Sequence, residues 1–283
     1  MQTVTTLKDL RQAVDELRGS GSIALVPTMG ALHEGHLTLV REAAKKADHV
    51  AASIFVNPRQ FGPNEDLDAY PRQLAEDSAK LAAEGVALLW APTVEAMYPD
   101  GYATNVSVSG VSAGLCGADR PGHFDGVATV VCKLFNQVRP DMALFGEKDW
   151  QQLAVIRRMA RDLDLVLPHV HAIHGVPTVR DADGLAKSSR NAYLSPEDRA
   201  AAAVLPRAMD AAIGAIAGGA EVAKVLTLLK GALVDGGFAS VDYAELRDAD
   251  SIALLDHDNG NARLFVAARI GGTRLIDNKA VSQ

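Results

Sequence analysis

Apolar residues recur along this chain in two alternating rhythms. Leu7, Leu10, Val14 and Leu17 fall at helical spacing and stop at the Gly19-Ser20-Gly21 break, which predicts an amphipathic helix. Ile23 to Val26 follows as a continuous apolar run, read as a buried strand. Helical spacing returns from Leu37 to Ala47, and Val50 to Val56 reads as a second buried strand closed by Asn57-Pro58. A helix over Leu74 to Ala83, the run Val86 to Trp90, then Val130 to Val138 before the short run Met142 to Phe145 and Gly146 continue the alternation. Strand and helix in turn imply an α/β fold: a parallel sheet with helices on both faces, joined by right-handed crossovers.

The pattern changes after about Val176. An Ala-rich helical stretch from Glu197 through Ile216 and another from Glu221 to Leu233 precede Val241 to Leu246, Ala262 to Ile270 and Thr273 to Ile276. The last two runs flank Gly271-Gly272 and read as a hairpin. The expected organisation is therefore an α/β domain over residues 1–177 and a smaller α+β domain over residues 178–283, with helices on an antiparallel sheet.

The chain of 283 residues is long enough for two cores, and 48% hydrophobic with 22% charged residues is the composition of a soluble globular protein. A formal charge of −7 argues against a general nucleic-acid or membrane-surface binder. Cys116 and Cys132 are too few for a disulfide framework and lack metal-ligand spacing, which fits a reducing cytoplasm. No apolar signal-peptide core opens the chain and no run is expected to span a membrane.

The richest chemistry sits where the first core strand ends. Pro27-Thr28-Met29-Gly30 turns into Ala31-Leu32-His33-Glu34-Gly35-His36, a strand end followed by a helix start that offers N–H groups and a positive dipole end to phosphates. Spaced three apart, His33 and His36 share a helix face. Asn57 and Gln60 lie just past the second strand, where they are expected at the same carboxyl-end crevice. Gly146-Glu147-Lys148-Asp149 follows another strand, bringing a cation toward a phosphate, with Gln152 one turn beyond Asp149. Lys187-Ser188-Ser189-Arg190 supplies hydroxyls and cations suited to terminal phosphates, although an exposed polar loop would look the same. On a strand His169 and His171 would share a face, with His174 nearby, but no carboxylate or cysteine follows at ligand spacing, so no metal site is expected there.

In order, PTMGALHEGH, FVNPRQF, RPGHFDGVATVV, FGEKDWQQL and GLAKSSRNAYL resemble the motif set of the pantothenate synthetases, the pantoate–β-alanine ligases, and the likeness spans nearly the whole chain to Arg274-Leu275-Ile276-Asp277-Asn278. The H-x-G-H element alone marks a broader nucleotidyl-transfer superfamily. The resemblance implies a Rossmann-like nucleotide- and pantoate-binding domain with a C-terminal lid domain, assembled as a homodimer. It implies a Mg²⁺-requiring ligase that joins pantoate to β-alanine at the expense of ATP through a pantoyl-adenylate, releasing AMP and pyrophosphate. By motif position Met29, Gly30, Ala31, Leu32, His33, Glu34, Gly35 and His36 would line the ATP site with Gly146, Glu147, Lys148, Asp149, Val179, Lys187, Ser188, Ser189 and Arg190. His36, His33, Lys148 and Arg190 would act on the phosphates. Gln60, Gln152 and Asn57 would hold substrate, with Arg120, Val127, Val130 and Val131 near the pantoate cavity, and Asp77 near the Mg²⁺ shell. Two departures stand out: Lys187 where the family usually has Leu or Met beside adenine, and His174-Gly175 where Pro-Cys is common. The alternatives are a nucleotidylyltransferase of the same superfamily, acting on a phosphorylated acceptor, and a nucleotide sensor without catalysis.

Overall fold

The computed structural model describes residues 1–63 and 65–282. The chain divides into two compact units, one formed by Met1–Glu147 with Gln152–Pro177, the other by Lys148–Gln151 with Thr178–Gln283.

In the first unit, strands β1 (Gln2–Val4), β2 (Ile23–Thr28), β3 (His49–Ile54), β4 (Leu88–Trp90), β5 (Met142–Gly146) and β6 (Ile173–Val176) form one sheet in the order β1-β4-β3-β2-β5-β6. Every pairing is parallel. From β2 the chain steps to β3 and β4 on one side, then returns to β5 on the other. The strand order therefore reverses between β2 and β5, the place where parallel α/β sheets open a ligand crevice.

Helices α1 (Leu7–Arg18), α2 (Glu34–Ala44), α3 (Leu74–Ala83), α4 (Val94–Met97), α5 (Leu115–Asp119), α6 (His123–Val138) and α7 (Trp150–Asp162) complete the α/β part, α7 taking its first two residues from the second unit. The two-residue period of the strands decides which helix each side chain meets. Ala24, Val26, Val50, Ala52, Leu89 and Leu144 pack with Leu39, Val40 and Ala43 of α2 and Leu81 of α3. On the opposite face Phe135 of α6 meets Phe145 at 6.3 Å, and the buried Trp90 indole donates to Gln137 Oε1 at 3.0 Å. Each Val, Leu or Phe side chain so buried contributes about 1.5–3 kcal/mol.

In the second unit, α8 (Pro196–Ala202), α9 (Val204–Ala217) and α10 (Val222–Asp235) accompany the antiparallel sheet β7-β8-β9, formed by Ser240–Asp248, Ala262–Ile270 and Thr273–Ala280. Ile270 pairs with Thr273 across Gly271 and Gly272, whose φ values of 53° and 75° give the two left-handed residues that a tight hairpin needs. Leu205, Met209, Ala212 and Ile216 of α9 pack with Leu229 and Leu233 of α10 and Leu264 and Val266 of β8.

Several sequence readings shift. The polar N-terminus contributes β1, which needs only backbone pairing and one buried side chain, Val4. Val130 to Val138 is the C-terminal part of α6, which begins at His123. Glu197 to Ile216 is two helices meeting at Ala203 rather than one. The stretch Pro196–Ala217 is also long and apolar enough to span a membrane by length and composition, but its apolar face belongs to the second core. His171 lies in a 3₁₀ turn capped by His169, so the strand alternation assumed for these residues does not exist.

Candidate functional site

The loop from β2 to α2 leaves the sheet at its switch point. Gly30 and Ala31 both adopt positive φ, 86° and 51°, a conformation that costs a non-glycine residue energy and needs outside support. Asp77 on α3 provides it. Its fully buried carboxylate accepts the Ala31 and Leu32 N–H groups at 2.8 Å each, while Lys80, one turn along α3, donates to the Leu32 carbonyl at 3.0 Å. Thr28 Oγ1 accepts from Gly30 N at 3.2 Å and donates to the Ser53 carbonyl at 2.8 Å, tying the loop to β3.

His33 and His36 form a reciprocal cap at the start of α2. The Gly35 N–H donates to His33 Nδ1 at 3.1 Å, and the His33 N–H donates to His36 Nδ1 at 3.3 Å. A neutral imidazole that accepts at Nδ1 carries its proton on Nε2, which sets the tautomer of both rings. The rings lie together, their centroids 4.1 Å apart. Gly35 permits this: a Cβ there would sit 2.8 Å from His33 Cε1. Glu34 turns away to pair with Arg41.

A second cluster follows β3. Asn57 and Gln60 are both buried, Asn57 capping the 3₁₀ turn Pro58–Gln60 by accepting from Arg59 N at 3.3 Å. The Tyr98 hydroxyl donates to the same Asn57 Oδ1 at 2.8 Å, and burial pushes its pKa up, so it remains a donor at neutral pH. Asn57 Nδ2 then donates to the Gly126 carbonyl and to Gln60 Oε1, each at 3.1 Å. Fixed backbone groups thus set the Asn57 amide, and Asn57 sets that of Gln60, whose Nε2 points to Met29 Sδ at 3.0 Å. Gln60 presents a donor.

The backbone of that turn is held as firmly. His123 Nδ1–H donates to the Gln60 carbonyl at 2.8 Å, leaving Nε2 to accept from Arg120 Nη1 at 3.1 Å. Arg120 Nη2 also reaches the Gln60 carbonyl at 3.2 Å while its guanidinium pairs with Glu65. Burial opposes the Glu65 charge, but the hydrogen bonds and charge of Arg120 prevail and hold its carboxyl below the usual range. Gly126 lets α6 touch the turn, because a Cβ would lie 2.2 Å from the Arg59 carbonyl oxygen. Val127, Val130 and Val131 are buried on the same helix. The sequence reading missed Tyr98 and His123. His123 stood inside a quoted motif, RPGHFDGVATVV, whereas Tyr98 carried no local signal.

Among the described residues no group of three or more His, Cys, Asp or Glu side chains is placed to hold a metal. Asp77 aims both oxygens at the Ala31-Leu32 backbone, so its role here is to shape the loop and the residues present do not form a metal cage. Gly146 ends β5 and Glu147 opens the next turn, its side chain close enough to Gly175 that a Cβ there would meet Oε1 at 2.8 Å. Gln152 is half-buried in the first turn of α7.

The second unit carries the other cations. The Lys187 N–H donates to the Val179 carbonyl at 2.9 Å and Arg180 bridges Ala186, making a small hairpin that leads into Ser188, Ser189 and Arg190. Ser188 caps the following turn, accepting from Arg190 N at 3.3 Å. The Lys187 ammonium is paired with Asp181, which Arg199 also holds. Lys148 and Asp149 belong to this unit by their packing.

An all-parallel sheet that reverses order beside a histidine-capped helix start defines a Rossmann-like nucleotide-binding α/β protein. The family model described as Pantoate-beta-alanine ligase matches residues 2–280, and the chain belongs to that family. A protein of Novosphingobium aromaticivorans named pantothenate synthetase is 72% identical over 283 residues, with 99% of each chain covered. The crystal structure of pantothenate synthetase from Thermus thermophilus superposes with a TM-score of 0.93 at 49% identity, covering all of both chains. The pantoate–β-alanine ligase of Francisella tularensis, crystallised with β,γ ATP and β-alanine, gives 0.84 at 33% identity over 99% of this chain and 98% of its own.

Proposed function

We propose that this protein is an ATP-dependent ligase that condenses pantoate with β-alanine to give pantothenate, AMP and pyrophosphate. The observation that carries the reading is that a chain matching this family over residues 2–280 places, just past adjacent parallel strands, the histidine-capped start of α2 and the oriented amide of Gln60. The pantoate carboxylate attacks the α-phosphorus of ATP. A new phosphorus–oxygen bond forms, the bond to the bridging oxygen breaks, and pyrophosphate leaves with its electron pair. The β-alanine amine, as the free base, then attacks the activated carbonyl, AMP departs, and the nitrogen releases a proton.

His36 and His33 stabilise charge on the α-phosphate. Lys148 and Arg190 neutralise the departing pyrophosphate, which accumulates negative charge as the bond breaks, Ser188 and Ser189 donate hydrogen bonds to it, and Lys187 meets the nucleotide through its backbone. Met29, Gly30, Ala31, Leu32, Gly35, Gly146, Asp149 and Val179 line the nucleotide. Gln60, Asn57 and Gln152 orient pantoate, and such alignment is worth about 7–11 kcal/mol in favourable cases. Arg120 acts through the Gln60 backbone, and Val127, Val130 and Val131 give an apolar wall. Mg²⁺ enters as the MgATP substrate, held by phosphate oxygens rather than by a protein cage. The ligase works as a homodimer in the cytoplasm.

The test is AMP release with pantoate, β-alanine or Mg²⁺ omitted in turn, with light scattering for the dimer. Release that depends on all three supports the reading. Nucleotidyl transfer to a phosphorylated acceptor, with AMP kept in the product, would replace it.

A further inference from the structure

Lys148–Gln151 packs with the second unit, although Glu147 before it and Gln152 after it belong to the first. Three side chains account for this. Asn278 Nδ2 on β9 donates to the Lys148 carbonyl at 2.7 Å. Its Oδ1 accepts from Arg263 Nη1, a diagonal neighbour on β8, since Asn278 faces Phe265 and Arg263 faces Ala280. The Arg263 guanidinium in turn stacks 3.6 Å from the centre of the Trp150 ring, and the Trp150 indole donates to the Ala249 carbonyl at 2.7 Å. Asn278 is only 3% exposed, and both ends of its amide are committed, so its orientation is fixed.

The preceding residue holds the other cationic segment. Asp277, with a fully buried side chain, forms a two-pronged pair with Arg180 at 2.6 and 2.9 Å. Arg180 also donates to the Gly184 carbonyl at 3.0 Å, closing the hairpin that ends in Lys187. Adjacent residues of one strand therefore anchor both segments to which the phosphate contacts are assigned. A buried ion pair and an amide are a poor choice for stability alone, because apolar replacements of similar volume often do as well.

We propose that Asp277 and Asn278 are positioning residues for the reaction: they fix Lys148 relative to Ser188 and Arg190, so that the two cations meet one polyphosphate at set spacing. This deepens the functional reading above and rests on it. The Asp277–Arg180 pair is unsuited to a first test, since removing one partner strands a buried charge. Asn278→Asp is suited: it keeps the shape and the acceptor for Arg263 but replaces the donor to Lys148 with an oxygen.

The experiment measures pantoate-dependent exchange of pyrophosphate into ATP, the KM for each substrate, MgATP affinity by calorimetry, and thermal unfolding, for wild type, Asn278→Asp and Arg263→Lys. Misplacing a phosphate cation predicts a loss of roughly tenfold or more in exchange and in MgATP affinity for Asn278→Asp. Arg263→Lys loses the planar stack and falls between wild type and Asn278→Asp. The KM for β-alanine stays near its wild-type value in both. Exchange and MgATP affinity unchanged in a folded Asn278→Asp protein overturn the proposal, as does a loss spread equally over all substrates in proportion to lowered melting. Wild type that binds MgATP but shows no pantoate-dependent exchange defeats the ligase reading alone, and the affinity of Asn278→Asp then still decides the positioning role. Wild type that binds no MgATP defeats both.

Discussion

Exchanging Gln60 for Glu alters the chemistry of one atom and little else. Oε1 still accepts from Asn57 Nδ2, so the side chain keeps its place, while the Nε2 donor becomes a carboxylate oxygen. With that donor facing the pantoate carboxylate, its loss removes a hydrogen bond to a charged group, about 1.5–3 kcal/mol. The new charge adds repulsion of about 4 kcal/mol for unit charges about 4 Å apart at an effective dielectric near 20. The sum, about 5–7 kcal/mol, corresponds to a fall of about 10⁴- to 10⁵-fold in kcat/KM for pantoate. Gln60→Ala removes only the first contribution and should lose roughly 10- to 150-fold. AMP release at varied pantoate with saturating ATP and β-alanine measures both, with melting curves alongside. Lowering the pH should relieve the Glu variant as the introduced carboxyl takes up a proton. If the Glu variant uses pantoate as well as or better than the Ala variant, the deduced polarity of the Gln60 amide is wrong.

Asp77→Asn keeps one acceptor for the Ala31-Leu32 turn and sets an NH₂ against the other N–H, at a cost of about 1.5–3 kcal/mol and a drop of several degrees in melting temperature. A metal-ligand role would instead raise the Mg²⁺ requirement and leave melting alone. Glu65 is held below the ordinary carboxylate range once Arg120 outweighs burial, so its stabilisation is complete above the unfolded pKa and disappears as pH falls through the lowered folded value. The melting difference between wild type and Glu65→Gln should thus be constant near neutrality and vanish only in acid below that range; a difference that grows as pH falls would contradict it. Lys187→Leu should leave the KM for ATP within about twofold, because the Lys187 side chain serves Asp181 while the backbone N–H holds the hairpin. A much larger change would show that the ammonium itself meets the nucleotide.

Much of the α/β part was legible because its signals are local. Ile23 to Val26 and Val50 to Val56 are apolar runs ended by turn residues, and such runs fold as strands buried on both faces. The same locality made His33 and His36 readable as the opening of a helix. What failed lacked local cause. Gln2–Val4 is a strand only because β4 offers it an edge, and Ala203 divides an Ala-rich helical stretch because α8 and α9 join there.

The sequence by itself determined the alternation of strands and helices, the change of character near Val176, and which residue types suited to phosphate and carboxylate stand at the strand ends. Only the tertiary structure decided what each side chain can do. The resemblance set Asp77 near a Mg²⁺ shell, and only the fold shows that it braces a loop from 46 residues away. Tyr98 gave no hint of orienting Asn57, and Lys148 appeared to belong with the strand before it although Asn278, 130 residues on, holds its carbonyl. Periodicity is set by neighbours within a few residues and can be read from the chain. The direction of a buried hydrogen bond is set by whichever backbone group the fold brings alongside, and no window of sequence contains both partners.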